Sequence, residues 1–300
     1  MTASLYALAA IALWASLSTL GVALKHVPPF LLTGIALMVG SALAWPFVMR
    51  DWRRWQIAPS LLGLGVFTLF GFHFLLFIAL RIAPAVEVNL VNYLWPLFIV
   101  VLAPLYLPGV ALRRVHVIAA AVGFAGAAIA ILGGNETVSA ANVATGAAAT
   151  PAVVTPMWSQ VFGYAMALGS ALIWANYSLQ TKRAALNGTG FPTAAVGLFG
   201  LVSGGLSLLC HWALEPSVSL NTHDWLLMAA MGLGPLGAAF FLWDKALKLG
   251  DARQIGILSY LTPLASTVLL MVVIDRPLSW RIALAASMII GAAWVGTRKS

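Results

Sequence analysis

NLVNYLWP, residues Asn89 to Pro96, lies inside a long apolar run yet holds two amides, two aromatics with polar handles and a proline. Its pattern returns as GILSYLTP, Gly256 to Pro263. Aligned without gaps, Ala79–Leu107 and Ala246–Ile274 stand 167 residues apart and agree at 9 of 29 positions, with Tyr93 on Tyr260 and Pro96 on Pro263. Self-similarity at a fixed spacing constrains the architecture before any single motif does.

Outside these two stretches the chain is of one kind. It is 62% hydrophobic and 8% charged, with a mean hydropathy of +0.97, which is the composition of a chain dissolved in a bilayer. Hydrocarbon about 30 Å thick needs about 20 apolar residues per spanning helix. Ten such segments are legible, at 4–24, 30–49, 58–80, 84–107, 115–133, 158–182, 192–213, 225–248, 251–274 and 280–297. The segments are too long and too uniformly apolar for the alternating strands of a barrel. The expected fold is therefore an all-α membrane protein of ten transmembrane helices, with the first segment retained rather than cleaved as a signal peptide.

Charge sets an orientation. With the N-terminus in the cytoplasm, twelve basic residues fall inside, from Arg50, Arg53 and Arg54 to Arg298 and Lys299, and only Lys25, Arg81, Arg276 and Arg281 fall outside. That bias predicts both termini in the cytoplasm and removes the need for a nucleic-acid partner to explain the net charge of +8. Cys210 is the single cysteine, so an intrachain disulfide and a thiolate metal cluster are excluded.

The first segment carries Trp14 before Ala15, and the sixth carries Trp174 before Ala175, at corresponding places in the two halves. Five helices per half insert the second copy from the opposite side, so the repeats are expected to be inverted: 1–134 and 158–300, joined by an extracytoplasmic linker at 135–157 without regular structure. Inverted repeats are typical of secondary transporters, whose substrate site lies at the repeat interface near the midplane. Gly200 and Gly204 have the spacing of a close helix crossing; the partner helix is left open between this chain and a second copy.

Depth brings candidate residues together. His73 lies eight residues from Arg81, roughly 12 Å deep, and Tyr93 lies at a similar depth on the next helix. Trp95 is slightly deeper and Trp14 is near the middle of its helix. These four, with Trp174 and Tyr260 as repeat counterparts, are candidates to line a cavity. Hydrogen bonding to a neighbouring helix is an equal reading for any one aromatic. For His73 the balance favours a water-filled path, since ionisable groups are costly in hydrocarbon. Pro96 leaves the carbonyl of Asn92 without its helical donor, and Pro263 does the same to Ser259, so Asn92 is a candidate ligand and the two prolines are candidate hinges. Glu87 and Asp244 are assigned to solvated or capping roles near helix ends.

These residues, spread over nearly the whole chain, resemble the drug/metabolite transporter superfamily in its ten-helix EamA-like form. The histidine of GFHF (His73), the Tyr and Trp of NYLWP (Tyr93, Trp95) and Trp14 match positions that line the central cavity of amino-acid exporters of that family. The resemblance implies export of amino acids, aromatic and other apolar ones favoured, across the inner membrane by alternating access, with no cofactor or metal and a monomer sufficient for transport; an exporter of drugs or other metabolites with the same fold is the alternative, and a channel-like facilitator a more distant one. Partners are then the small substrate and membrane lipid. Two departures matter: Thr262 stands where Trp95 would recur, so the cavity should be asymmetric, and the first helix lacks the membrane glutamate of small multidrug relatives. An enzyme is disfavoured because the five histidines scatter and no paired carboxylates or HExxH occur.

Overall fold

In the computed structural model, residues 2–144, 156–273 and 280–297 are described. Arg276, Arg298, Lys299 and the linker residues 145–155 lie outside them. The described residues contain helices and no strand. We label them α1 (Thr2–Ala23), α2 (Pro29–Arg50), α3 (Pro59–Ile82), α4 (Ala85–Tyr106), α5 (Arg114–Ala144), α6 (Met157–Leu186), α7 (Ala195–Leu214), α8 (Thr222–Leu249), α9 (Ala252–Val273) and α10 (Trp280–Thr297). Eight of them are long and apolar enough to cross a membrane, and α10 adds a shorter apolar helix, so the chain is a multi-pass all-α membrane protein.

The apolar runs give the helix ends within four residues at every end but one. The exception is α5, which continues through Ala144 into the stretch expected to be irregular. Gly133 and Gly134 do not stop it, since a helical glycine loses only about 1 kcal/mol relative to alanine.

Five helices are interrupted. The breaks in α2, α4 and α9 fall just before a proline: a 3-10 turn at Ala42–Ala44 precedes Pro46, the Tyr93–Leu94 step precedes Pro96, and the Ser259–Tyr260 step precedes Pro263. The missing amide and the ring clash of proline explain all three. In α9 the Ser259 carbonyl is not left orphaned: it accepts the Thr262 amide at 2.9 Å, a tighter turn that satisfies the group Pro263 cannot. α1 breaks at Ser16, whose hydroxyl and amide both donate to the Leu13 carbonyl, and α8 carries a π-turn at Gly234–Ala238.

Packing repeats when each helix is exchanged for the one five places later. α3 packs on α6 as α8 packs on α1, α3 packs on α7 as α8 packs on α2, and α2/α7, α4/α9 and α5/α10 are pairs that exchange into themselves. The glycine spacing in α7 is satisfied within the chain. A Cβ on Gly204 would sit 2.8 Å from the Gly34 carbonyl, and one on Gly200 would sit 3.2 Å from that of Leu37, so the backbones of α2 and α7 touch there.

Candidate functional site

A cavity of about 570 Å³ lies between α1, α2, α3, α4, α5, α6, α8 and α9. Its walls run from Gly21, Leu80, Asn89 and Thr267 at one end to Trp14, Trp95, Trp174 and Phe240 at the other. None of the described residues lining it is Asp, Glu, Lys or Arg. Of the residues singled out from the sequence, His73, Tyr93, Trp95, Trp14, Asn92, Trp174 and Pro263 line this space. Pro96 and Tyr260 are not among its lining residues.

Tyr260 is fully buried in a second core, its ring 6.4 Å from Phe124 and pressed against Gly123 of α5. The repeat that pairs it with Tyr93 therefore does not pair their surroundings. Continuing the 167-residue offset back into α3 sets His73 against Phe240, and both line the cavity. The walls are thus related in position and different in chemistry.

The deep end is an aromatic cluster. Trp14 lies 6.5 Å from Trp95, 5.8 Å from Trp174 and 5.2 Å from Trp243 between ring centroids, and Trp95 lies 5.5 Å from Trp243. Edge-to-face geometry dominates, as ring quadrupoles favour. Trp14 is held there by its indole N–H, which donates to the Pro235 carbonyl at 3.0 Å. That carbonyl belongs to the π-turn of α8, where the backbone ladder is rearranged. Phe72 extends the aromatic wall, its ring 5.5 Å from Trp174 and 5.1 Å from His73.

Sequence reasoning missed Trp243, Phe72 and Phe240. Phe72 could have been taken with its neighbour His73. Trp243 carries no such signal, because the residue 167 positions earlier is Leu76 and the chain around it is charged.

The polar groups have defined roles. His73 is buried, with Nδ1 2.6 Å from the Leu69 carbonyl one turn earlier. A carbonyl only accepts, so Nδ1 carries the proton. The Asn92 carboxamide oxygen accepts from the Ser170 hydroxyl of α6 at 2.8 Å. Ser18 of α1 and Ser266 of α9 are hydrogen-bonded to one another at the cavity wall.

Beyond the tryptophans, the other end of the bundle is tied by ions. Asp244, expected at a solvated helix end, has a side chain with no exposure: its Oδ2 accepts from Thr193 at 2.6 Å and from Lys248 at 2.7 Å. Lys248 also donates to the Phe191 carbonyl at 2.7 Å and sits 4.2 Å above the Phe191 ring. Asp251, between α8 and α9, is pushed up by burial, but its bonds from Arg253 outweigh this and hold the carboxyl below the usual range. Arg253 in turn reaches the Ala111 carbonyl before α5 at 2.9 Å. At the opposite end Glu215 accepts from Arg81 at 2.6 Å and from the Phe30 amide at 3.0 Å, joining α2, α3 and α7. A shallow groove on α6, walled by Met157, Trp158, Val161, Phe162 and Ala165, is wholly apolar and faces outward, as a lipid contact would.

Comparison with known proteins places these features. The EamA-like transporter family matches residues 1–132 and again residues 161–297. The chain is 37% identical over 306 residues to the aromatic amino acid exporter YddG of Ancylobacter novellus, covering 99% of this chain and 97% of that one. It is 26% identical over 228 residues to the YddG of Escherichia coli, covering 72% of this chain and 69% of the relative. A solved crystal structure superimposes with a TM-score of 0.85 at 36% identity, over 99% of this chain and 98% of the other. With most of its length matched in two successive blocks, the chain belongs to the EamA-like transporter family.

Proposed function

We propose that the protein is a secondary transporter that exports amino acids, aromatic and other apolar ones favoured, across the inner membrane by alternating access between two inverted five-helix repeats, 1–134 and 158–300. The observation that carries this reading is the cavity itself: aromatic rings at its deep end, amides, hydroxyls and one imidazole on its walls, and no ionic side chain among the described residues that line it. A net-neutral zwitterion with an apolar side chain suits such a space, because each of its charges finds uncharged partners and its side chain finds ring faces. A solute of net charge would enter without a counter-ion and bear the desolvation.

With both termini in the cytoplasm, as the basic residues favour, the described state is outward-facing. The Trp14, Trp95, Trp174 and Trp243 cluster and the Asp244–Lys248 tie then close the cytoplasmic side. The linker at 135–157 lies outside, with its first part continuing α5 as helix. The cavity is formed by a single chain, which supports a monomer as the transporting unit. Counterflow of labelled phenylalanine into liposomes containing the purified protein tests the reading. Trans-stimulated, saturable uptake is expected; uptake that neither saturates nor responds to internal substrate would indicate a channel, and none at all would exclude the substrate class.

A further inference from the structure

We propose that Ser170, which is fully buried behind the cavity wall, sets the polarity of the substrate site: it holds Asn92 as a donor beside the acceptor of His73. A bound amino acid then lies with its carboxylate at α4 and its ammonium at α3. The proposal rests on the amino-acid reading above and adds an orientation and a positioning residue to it.

Two hydrogen bonds that do not involve the substrate fix the two groups. The Leu69 carbonyl takes the Nδ1 proton of His73, so in the neutral ring Nε2 presents a lone pair. Nε2 meets no protein partner among the described residues and is not sealed from the cavity that His73 lines. On α4, the Ser170 hydroxyl occupies Oδ1 of Asn92 at 2.8 Å, sharing its proton with the Ala167 carbonyl at 2.7 Å. The Nδ2 donors of Asn92 meet no protein partner among the described residues and likewise are not sealed. An acceptor on α3 and, with Oδ1 of Asn92 turned to Ser170, a donor on α4 thus stand on helices in contact with each other. A zwitterion offers the complementary pair, an ammonium donor and a carboxylate acceptor, while Phe72, Trp95 and Trp174 supply ring faces for its side chain. Ser170 does not itself line the cavity, so it acts through Asn92.

The test is counterflow of labelled phenylalanine in proteoliposomes, with phenylalaninamide and 3-phenylpropanoate as competitors that lack the carboxylate and the ammonium respectively. Loss of one hydrogen bond should raise the KM of Ser170→Ala about fivefold with Vmax within about twofold, and Ser170→Thr should restore it. In Ser170→Ala the preference for phenylalanine over phenylalaninamide should shrink, while the preference over 3-phenylpropanoate should persist. Asn92→Asp sets a carboxylate against the substrate's own and should raise KM at least about tenfold. An unchanged or lowered KM in Asn92→Asp would mean that the amide presents its oxygen, and would overturn the orientation. If Asn92→Asp does not fold, the competitor profile of Ser170→Ala decides alone: equal loss of preference against both analogues, or an unchanged KM, would overturn the proposal. No counterflow in the wild type would remove the amino-acid reading; normal wild-type counterflow with those variant outcomes would remove only the orientation.

Discussion

At position 14 one indole of α1 serves three neighbouring helices, α4, α6 and α8. Its ring touches Trp95, Trp174, Phe240 and Trp243, and its N–H satisfies the Pro235 carbonyl. The two roles separate by substitution. Trp14→Phe keeps an aromatic but strands a buried carbonyl, a loss of about 1–3 kcal/mol, so the melting temperature in detergent should fall by several degrees. His73→Ala and Trp95→Ala leave that bond intact. If each ring contact with substrate is worth about 0.5–1.5 kcal/mol, each variant should lose about two- to tenfold in transport, and the double variant nearly all of it. Normal counterflow by both singles and by the double would make these rings packing and place the site elsewhere.

At the scale of helices the interruptions matter most. Pro96 and Pro263 are repeat counterparts, yet their surroundings differ: the Pro96 carbonyl lies against Gly256 of α9, and the Ser259 carbonyl before Pro263 is already partnered within its own turn. Pro→Ala at the two places should therefore act differently. Pro263→Ala is expected to slow loading from the cytoplasm and Pro96→Ala release outside, read as the sidedness of thiol labelling near Tyr93 and Tyr260. Identical changes, or none, would make both prolines static bends. The end of α8 gives a second measurement. Asp244→Ala removes one partner of a buried ion pair, which is expected to destabilise the protein by about 3–5 kcal/mol, whereas replacing Asp244 and Lys248 together with apolar residues should restore much of it. A thermal melt of the two variants beside the wild type checks this.

For the whole molecule the decisive quantity is orientation, because it turns a cavity open at one end into an outward- or inward-facing state. In a Cys210→Ser background, a cysteine within 145–155 should react with an impermeant thiol reagent added outside intact cells, and one beside Arg53 should not. The reverse pattern would invert the assignment of the tryptophan cluster to the cytoplasmic side. Transport should also run down a substrate gradient with no proton gradient imposed, since none of the described residues lining the cavity is a carboxylate. Strict dependence on an imposed pH gradient would count against this and direct attention to His73 or to Asp244.

The sequence alone determined the solvent, the helical class and the ends of most helices, because hydrophobic run length is set by the bilayer and by nothing farther along the chain. It also located the interruptions before Pro96 and Pro263, since a missing amide acts on its own helix. Only the tertiary structure decided which repeat counterparts share a role. Tyr93 and Tyr260 are equivalent in sequence, but one faces the cavity and the other packs on Gly123, a difference made by which helix lies opposite. Trp243 and Asp244 read as residues of a charged helix end until α1, α6 and the segment before α7 close around them. The donor and acceptor roles of Asn92 and His73 depend on partners 78 residues away and one turn away, and the distant one is set by packing alone.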